Sequence, residues 1–301
     1  MSKLRRTMMY VPGNNPGMIK DAHIFGADSI MFDLEDSVSL KEKDAARFLV
    51  YNALKSIDYE GVETVVRVNG LDTKFGREDF EAIVRAKPNI IRLPKTEKPE
   101  DIVEADQLIS AIEAKEGMAP GTVKLMAAIE SALGVINAYA IAKASPRLIA
   151  IAIGAEDFVT DMKTTRSLEG IELLTARSQV LMAARAAGIY ALDTVFSDVN
   201  DDEGFINEVK YIKQLGFDGK SVVNPRQIEP VHKIYTPTQK EIEKAIRVIH
   251  AIEEAERRGS GVISLDGKMI DGPIVDRARR VITLATATGV YNPDGGEKIA
   301  I

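Results

Sequence analysis

Short runs of apolar and β-branched residues, each bounded by turn formers, recur along the chain at 7–11, 29–34, 64–68, 90–93, 124–129, 148–153, 191–195 and 220–223. This is the pattern of buried strands. Between them the period changes to that of a helix. Leu173, Leu174, Arg177, Val180, Leu181 and Ala184 share one face, and Gly188 stands where a helix C-cap belongs. Strand alternates with helix, and successive strands begin roughly 20 to 45 residues apart, the repeat of a βα unit. Eight such units predict an α/β fold, a parallel (β/α)8 TIM barrel. An open doubly wound sheet shares the alternation, but no G-x-G-x-x-G turn follows the first strand to support it.

From about residue 236 the pattern departs from the repeat. A helix carries Ile242, Ala245, Ile246, Ile249 and Ile252 in register, Gly259-Ser260-Gly261 interrupts, and a further helix starts after Pro273. No internal repeat or low-complexity linker splits the chain. The expectation is a catalytic barrel over 1–235 with a C-terminal helical extension and lid, 236–301, belonging to the same domain.

Composition narrows the chemistry. The 301 residues contain no Cys and no Trp, which excludes disulfides, thiolate zinc sites and a cysteine nucleophile, and fits a reducing compartment. Lys and Arg number 39 against 45 Asp and Glu, a net charge of −6, so there is no basic field to draw a nucleic-acid backbone. No run nears the ~20 apolar residues of a membrane span. The amino-terminal stretch after Lys3, Arg5 and Arg6 breaks at Pro12-Gly13, too early for a signal peptide. A cytoplasmic protein with neither nucleic-acid nor membrane partners is expected.

Active sites of such barrels form at the carboxyl ends of the strands. Here those ends are dense in polar residues: Asp33-Leu34-Glu35-Asp36, Arg67-Val68-Asn69, Arg92-Leu93-Pro94-Lys95, Glu130-Ser131, Glu156-Asp157, Asp198 and Asn224. Glu130 and Asp157 stand on consecutive strands, so their carboxylates can converge on one hard cation. Such oxygen ligands suit Mg2+, whereas zinc calls for His, and His23, His232 and His250 all fall away from strand ends. The plainer alternative makes both acids solvated loop residues or helix N-caps. Arg67 points into the barrel mouth, where a guanidinium offers a fork to a carboxylate or alkoxide; a salt bridge to Glu35 or Asp36 is equally compatible. Asp36, beyond its strand, is expected to hold a water on the metal. The Pro-Gly-Asn-Asn-Pro-Gly segment 12–17 reads either as a helix start whose amides take a phosphate or thioester chain, or as a plain turn. Residues 259–273 read either as a hinged lid that delivers an acid on closing, or as a surface hairpin with Asp271 as an N-cap.

At this point the residues match a known pattern. Met31-Phe32-Asp33-Leu34-Glu35-Asp36-Ser37-Val38 with Lys43 and Arg47, Arg67-Val68-Asn69, Leu93-Pro94-Lys95, Ala128-Ile129-Glu130-Ser131, Gly154-Ala155-Glu156-Asp157-Phe158 and Asn224-Pro225 together resemble the citrate lyase beta subunit family. The likeness runs essentially end to end, through Thr194-Val195-Phe196-Ser197-Asp198-Val199-Asn200 and Gly216-Phe217-Asp218-Gly219-Lys220-Ser221 to Lys268-Met269-Ile270-Asp271.

The resemblance implies an Mg2+-dependent lyase of the wider aldolase and malyl-CoA lyase superfamily. Such an enzyme cleaves a citryl thioester, on acyl carrier protein or CoA, to oxaloacetate and an acetyl thioester. It implies metal ligands at Glu130 and Asp157, substrate contacts from Arg67 and Glu130, and catalytic roles for Arg67 and Asp271, the latter delivered by the C-terminal lid of a neighbouring subunit in a homo-oligomer. Implied partners are the citrate lyase alpha subunit and the acyl carrier (gamma) subunit, for which Lys3, Arg5, Arg6 and Lys20 form a candidate basic patch. The alternatives are a free-standing malyl-CoA or citramalyl-CoA lyase or thioesterase, an aldolase acting on free pyruvate adducts, and a noncatalytic scaffold subunit. The presence of Arg67, Glu130 and Asp157 weighs against the scaffold.

Overall fold

The computed structural model describes residues 3–257, 259, 263–265 and 267–292. Strands β1 (Thr7–Pro12), β2 (Ser29–Asp33), β3 (Glu63–Arg67), β4 (Ile90–Leu93), β5 (Lys124–Ile129), β6 (Leu148–Ile153), β7 (Tyr190–Asp193) and β8 (Gly219–Val222) lie parallel in sequence order. β8 returns to β1 through the pairs Thr7↔Lys220, Met8↔Ser221 and Met9↔Val222, which closes the barrel. The connecting helices are α1 (Pro16–Asp21), α2 (Lys43–Ser56), α3 (Gly76–Ala86), α4 (Pro99–Lys115), α5 (Ala132–Lys143), α6 (Ala155–Asp161), α7 (Ile171–Ala187) and α8 (Asp202–Leu215). After β8 come α9 (Ile228–Tyr235), α10 (Gln239–Arg257), the antiparallel hairpin β9 (Ile263–Leu265) and β10 (Lys268–Ile270), and α11 (Gly272–Ala287). The (β/α)8 barrel expected from strand spacing is the observed fold.

The alternation of strand side chains explains its layers. Met8, Met31, Val65, Ile90, Met126, Ala150, Ala152 and Leu192 fill the barrel interior, and the intervening residues face the helices. In α7, Leu173, Arg177, Val180 and Ala184 are all buried on one face. The helix stops at Gly188, whose φ of 75° suits a residue without a β-carbon.

Two compact units divide the chain, Arg5–Val231 and a second beginning at His232. In the second, α10 and α11 pack through Ala245, Val248, Ile252, Val275 and Ala278, with Ile270 of the hairpin in the same cluster. Ser260, Gly261 and Asp266 of the expected hinge and lid lie outside the described residues.

In the amino-terminal region the basic patch fails, and the plain turn is the alternative that holds. Arg5 is buried, and its Nε and Nη2 donate to the Glu63 carboxylate at 2.8 and 2.7 Å, with Ser29 Oγ donating to the same group. Arg6 donates through Nε and Nη2 to Asp28 at 2.9 and 2.8 Å. Both arginines are spent on internal ion pairs, so they form no basic patch for a carrier. Segment 12–17 is a turn: Gly13 N–H donates to the Asp33 carbonyl, and Asn15 caps the short α1 by accepting from Met18 N–H. The Gly13, Asn15 and Met18 amides are taken by these contacts.

Outside the strands, β7 and β8 are tied to their helices by buried charge. Asp193 turns outward and takes a fork from Arg177 of α7, Nε at 2.8 Å and Nη2 at 2.9 Å. Lys220, fully buried on β8, donates to Asp193 at 3.0 Å, to Thr194 O at 2.7 Å and to Glu208 of α8. Arg177 and Arg166 complete the Glu208 contacts. Burial opposes ionisation of Asp193 and Glu208, but Lys220 and Arg177 outweigh it and hold both carboxyls below their usual range.

A carboxyl whose pKa is depressed on folding adds stability that is present above its unfolded pKa and lost as pH falls through the folded one. Urea unfolding should therefore show stability declining as pH drops below about 4. Asp193→Ala should unfold with about 3 kcal/mol less stability at neutral pH, because Arg177 and Lys220 lose their shared anion, and with a shallower acid dependence. Equal acid slopes in the two proteins would remove Asp193 from this role.

Candidate active site

The register of β2 on β3 sets Asp33 directly beside Arg67, and the site is built around that pair. Arg67 Nε and Nη2 donate to the two Asp33 oxygens at 2.7 and 2.8 Å, while Nη1 lies 3.0 Å from Glu35 Oε2 and 3.7 Å from Asp36 Oδ2. Three of the five guanidinium N–H donors are thus engaged and two remain. Burial disfavours the Asp33 anion, yet the hydrogen bonds and charge of Arg67 hold its carboxyl below the usual range. The loop after β2 is pinned from behind by Lys43, whose buried ammonium donates to the carbonyls of Leu34 and Glu35 at 2.8 and 2.6 Å.

Lys95 follows β4 with φ of 47°, a left-handed conformation that costs a lysine about 1–2 kcal/mol. What the strain achieves is a double contact. The Lys95 backbone N–H donates to Glu130 Oε2 at 3.1 Å, and its ammonium donates to Glu35 Oε1 at 2.8 Å. The same ammonium stands 3.7 Å from both Asp36 Oδ1 and Asp157 Oδ2.

Glu130, at the end of β5, is 5% exposed, and that one amide is its only hydrogen-bond donor among the described residues. Burial pushes its carboxyl up; Arg92 and Arg67 pull it down, and Glu35 and Asp157 add to the rise. Its place depends on Gly154. A β-carbon there would lie 2.5 Å from Glu130 Oε1 and 2.6 Å from Cγ, too close for any other residue without displacing the carboxylate. Asp157, in the first turn of α6, is far more exposed.

Arg67, Glu130, Asp157 and Asp36 line one cavity of about 500 Å³ over the barrel mouth, together with Tyr10, Thr194, Ser221 and Val223. A larger groove of about 680 Å³ lies beside it, bordered by Glu35, Asn69, Lys95 and Lys98. That groove holds none of the three expected metal- and substrate-binding side chains, all of which line the smaller cavity. Other strand-end candidates serve locally. Asp198 accepts from Asn200 N–H, and Asn224 accepts from Arg226 N–H. Glu156 borders the cavity and accepts from Arg166 at 3.1 Å. Asp271 belongs to the second unit, at the N-cap of α11, where its side chain makes no capping hydrogen bond.

These residues fit Mg2+. A buried carboxylate with a single amide donor, its pKa raised chiefly by that burial, is a group that a cation would satisfy, and the donors are all hard oxygens. Among the described residues no three His, Asp or Glu side chains form a cage on their own. Sequence reasoning missed Asp33 as the partner of Arg67, and the structural part of Lys95. The strand register, once drawn, identifies the first; the backbone conformation behind the second has no signature in residue type.

Comparison with known proteins gives a consistent picture. Residues 6–225 match the family described as HpcH/HpaI aldolase/citrate lyase. Citrate lyase subunit beta of Leuconostoc mesenteroides subsp. cremoris is 60% identical over 293 residues, covering 97% of each chain. A (3S)-malyl-CoA thioesterase of Cereibacter sphaeroides is 35% identical over 286 residues, 95% of this chain and 96% of the relative. The crystal structure of the protein CitE from Mycobacterium tuberculosis, in complex with magnesium, acetoacetate and coenzyme A, superposes with a TM-score of 0.78 at 30% identity, covering 94% of this chain and 98% of that one. With the family pattern spanning the barrel and such relatives spanning nearly the whole chain, this protein belongs to the HpcH/HpaI aldolase/citrate lyase family.

Proposed function

We propose that the chain cleaves a citryl thioester, carried on acyl carrier protein or CoA, to oxaloacetate and an acetyl thioester, with Mg2+ held by Glu130 and Asp157. The observation that carries this reading is the meeting of Arg67, Glu130 and Asp157 around one cavity at the barrel mouth. The 60% identity to a citrate lyase beta subunit supports the citryl substrate over the malyl thioester named for relatives at 35%.

The reaction removes the proton of a tertiary hydroxyl and breaks the adjacent C–C bond. The electron pair leaves with the acetyl thioester as an enolate, the hydroxyl carbon becomes the ketone of oxaloacetate, and the enolate takes up a proton. Glu130 and Asp157 would hold Mg2+, which would supply the Lewis acidity that lowers the pKa of that hydroxyl, and Asp36 would keep a water beside it. Arg67 holds the substrate oxygens through its two remaining N–H donors, in an orientation that Asp33 and Glu35 fix. Glu130 lies against the same substrate oxygens. Asp271 accepts the hydroxyl proton and returns one to the enolate carbon, acting from the lid of its own or a neighbouring subunit in a homo-oligomer. The alpha and acyl carrier subunits of a citrate lyase complex are the proposed partners. The proposed compartment is the cytoplasm; among the described residues, no helix is long and apolar enough to cross a membrane.

Two experiments test this. Magnesium-dependent release of oxaloacetate from citryl-CoA is expected of the wild type, and Glu130→Gln or Asp157→Asn should each weaken Mg2+ binding, read by calorimetry, by about 10-fold or more, with turnover falling in step. Full turnover in either variant would break the metal reading. Asp271→Asn should lower kcat by about 10²–10⁴-fold with Mg2+ affinity unchanged, and undiminished turnover would remove Asp271 from the chemistry.

A further inference from the structure

The cavity has two unlike walls. Strands β2 to β6 and the residues just after them contribute the charged groups already described, whereas the other side contributes three hydroxyls: Thr194 just after β7, Ser221 of β8 and Tyr10 of β1. None of the three is used by the reaction as derived above. Ser221 is 1% exposed, and its buried Oγ has no hydrogen-bond partner, a costly state unless something else fills it. Thr194 Oγ1 accepts from Ala155 N–H at 3.0 Å, which leaves its own proton to give. The Tyr10 hydroxyl has no hydrogen-bond partner among the described residues.

Near the Tyr10 ring stands a buried cation that makes no hydrogen bond to a carboxylate among the described residues. Arg92 is 1% exposed inside the barrel, 5.8 Å from the Tyr10 ring centroid. Its Nε has no partner, and its Nη1 reaches only the sulfurs of Met8 and Met31, at 4.0 and 3.9 Å. Arg67 lies 5.2 Å from the same ring, but its fork is taken by Asp33 and Glu35. With no hydrogen-bonded carboxylate of its own, this guanidinium would be further compensated by an anion bound beside Tyr10. Three hydroxyls, with guanidinium groups near the Tyr10 ring, suit a carboxylate.

Resting on the lyase reading, we infer that Tyr10, Thr194 and Ser221 seat the carboxymethyl arm of the substrate, the group that oxaloacetate carries and pyruvate lacks. The α-ketoacid end of the ligand lies with Arg67 and the Mg2+ ligands on the opposite wall, and the second carboxylate crosses the cavity to the hydroxyls. Selectivity for a citryl over a citramalyl thioester follows, because a methyl group would leave these buried donors unpaired.

The test is calorimetric binding of oxaloacetate and of pyruvate to the whole chain in saturating Mg2+. Wild type should prefer oxaloacetate by about 10- to 100-fold. The double variant Tyr10→Phe, Ser221→Ala should lose most of that preference by weakening oxaloacetate alone, with pyruvate affinity within about threefold of wild type. A variant that keeps the preference, or that weakens both ligands equally, overturns the seat. So does a wild type that binds both ligands alike. If wild type binds neither, the lyase reading itself has failed, which is a separate outcome. Should the double variant melt below the assay temperature, Ser221→Ala alone carries the same comparison with a smaller expected loss.

Discussion

Five carboxylates, those of Asp33, Glu35, Asp36, Glu130 and Asp157, are gathered at the mouth of this barrel, and at such density like charges repel and resist ionisation. The Arg67 guanidinium, forked onto Asp33 and reaching Glu35, is what lets them coexist. Asp33 and Arg67 are nine-tenths or more buried, so their attraction is little screened and their geometry is held by two parallel hydrogen bonds. Lys95 neutralises the outer part of the cluster from the other side. What is left over includes Glu130 and Asp157, neither held by a side-chain fork, and these are the two acids of the proposed Mg2+ site.

The surrounding backbone is shaped to keep that remainder available. Lys95 sits in a left-handed conformation, so one residue spans Glu130 and Glu35. Gly154 leaves room for the Glu130 carboxylate to lie against the next strand. Beneath and outside the site, separate buried ion pairs fix the frame: Arg5 with Glu63 near the start of the strands, and Asp193 with Lys220 and Arg177 between barrel and helices. Removing a partner from either pair strands a buried charge, so the frame is stiff where the site needs it to be.

Much of the architecture was legible because a closed parallel barrel leaves a strong trace in sequence: buried runs of strand length at βα spacing, with polar residues concentrated at their carboxyl ends. The observed strands β2 to β6 and their end residues follow that trace closely. What stayed hidden depends on pairing rather than pattern. Arg5 and Arg6 look like surface cations in a polar amino terminus, and only the fold shows Glu63 and Asp28 waiting for them. Asp33 reads as one acid among several until its register with Arg67 is drawn. Strand β7 ends two residues earlier than its apolar run suggests, because Asp193 is consumed by Arg177 and Lys220 and Thr194 turns to meet the start of α6. Tyr10 and Ser221, ordinary strand residues by type, gain meaning only from the cavity they line.

If the Asp33–Arg67 fork organises the site, its effect should appear in the chemistry and spare the metal. The most direct measurement is oxaloacetate release from citryl-CoA by Asp33→Asn in saturating Mg2+, beside a calorimetric Mg2+ titration of the same protein. The account predicts a rate about 10²-fold below wild type, from a misplaced Arg67, with Mg2+ affinity within about threefold of wild type. An Asp33→Asn enzyme that turns over as fast as wild type would contradict it.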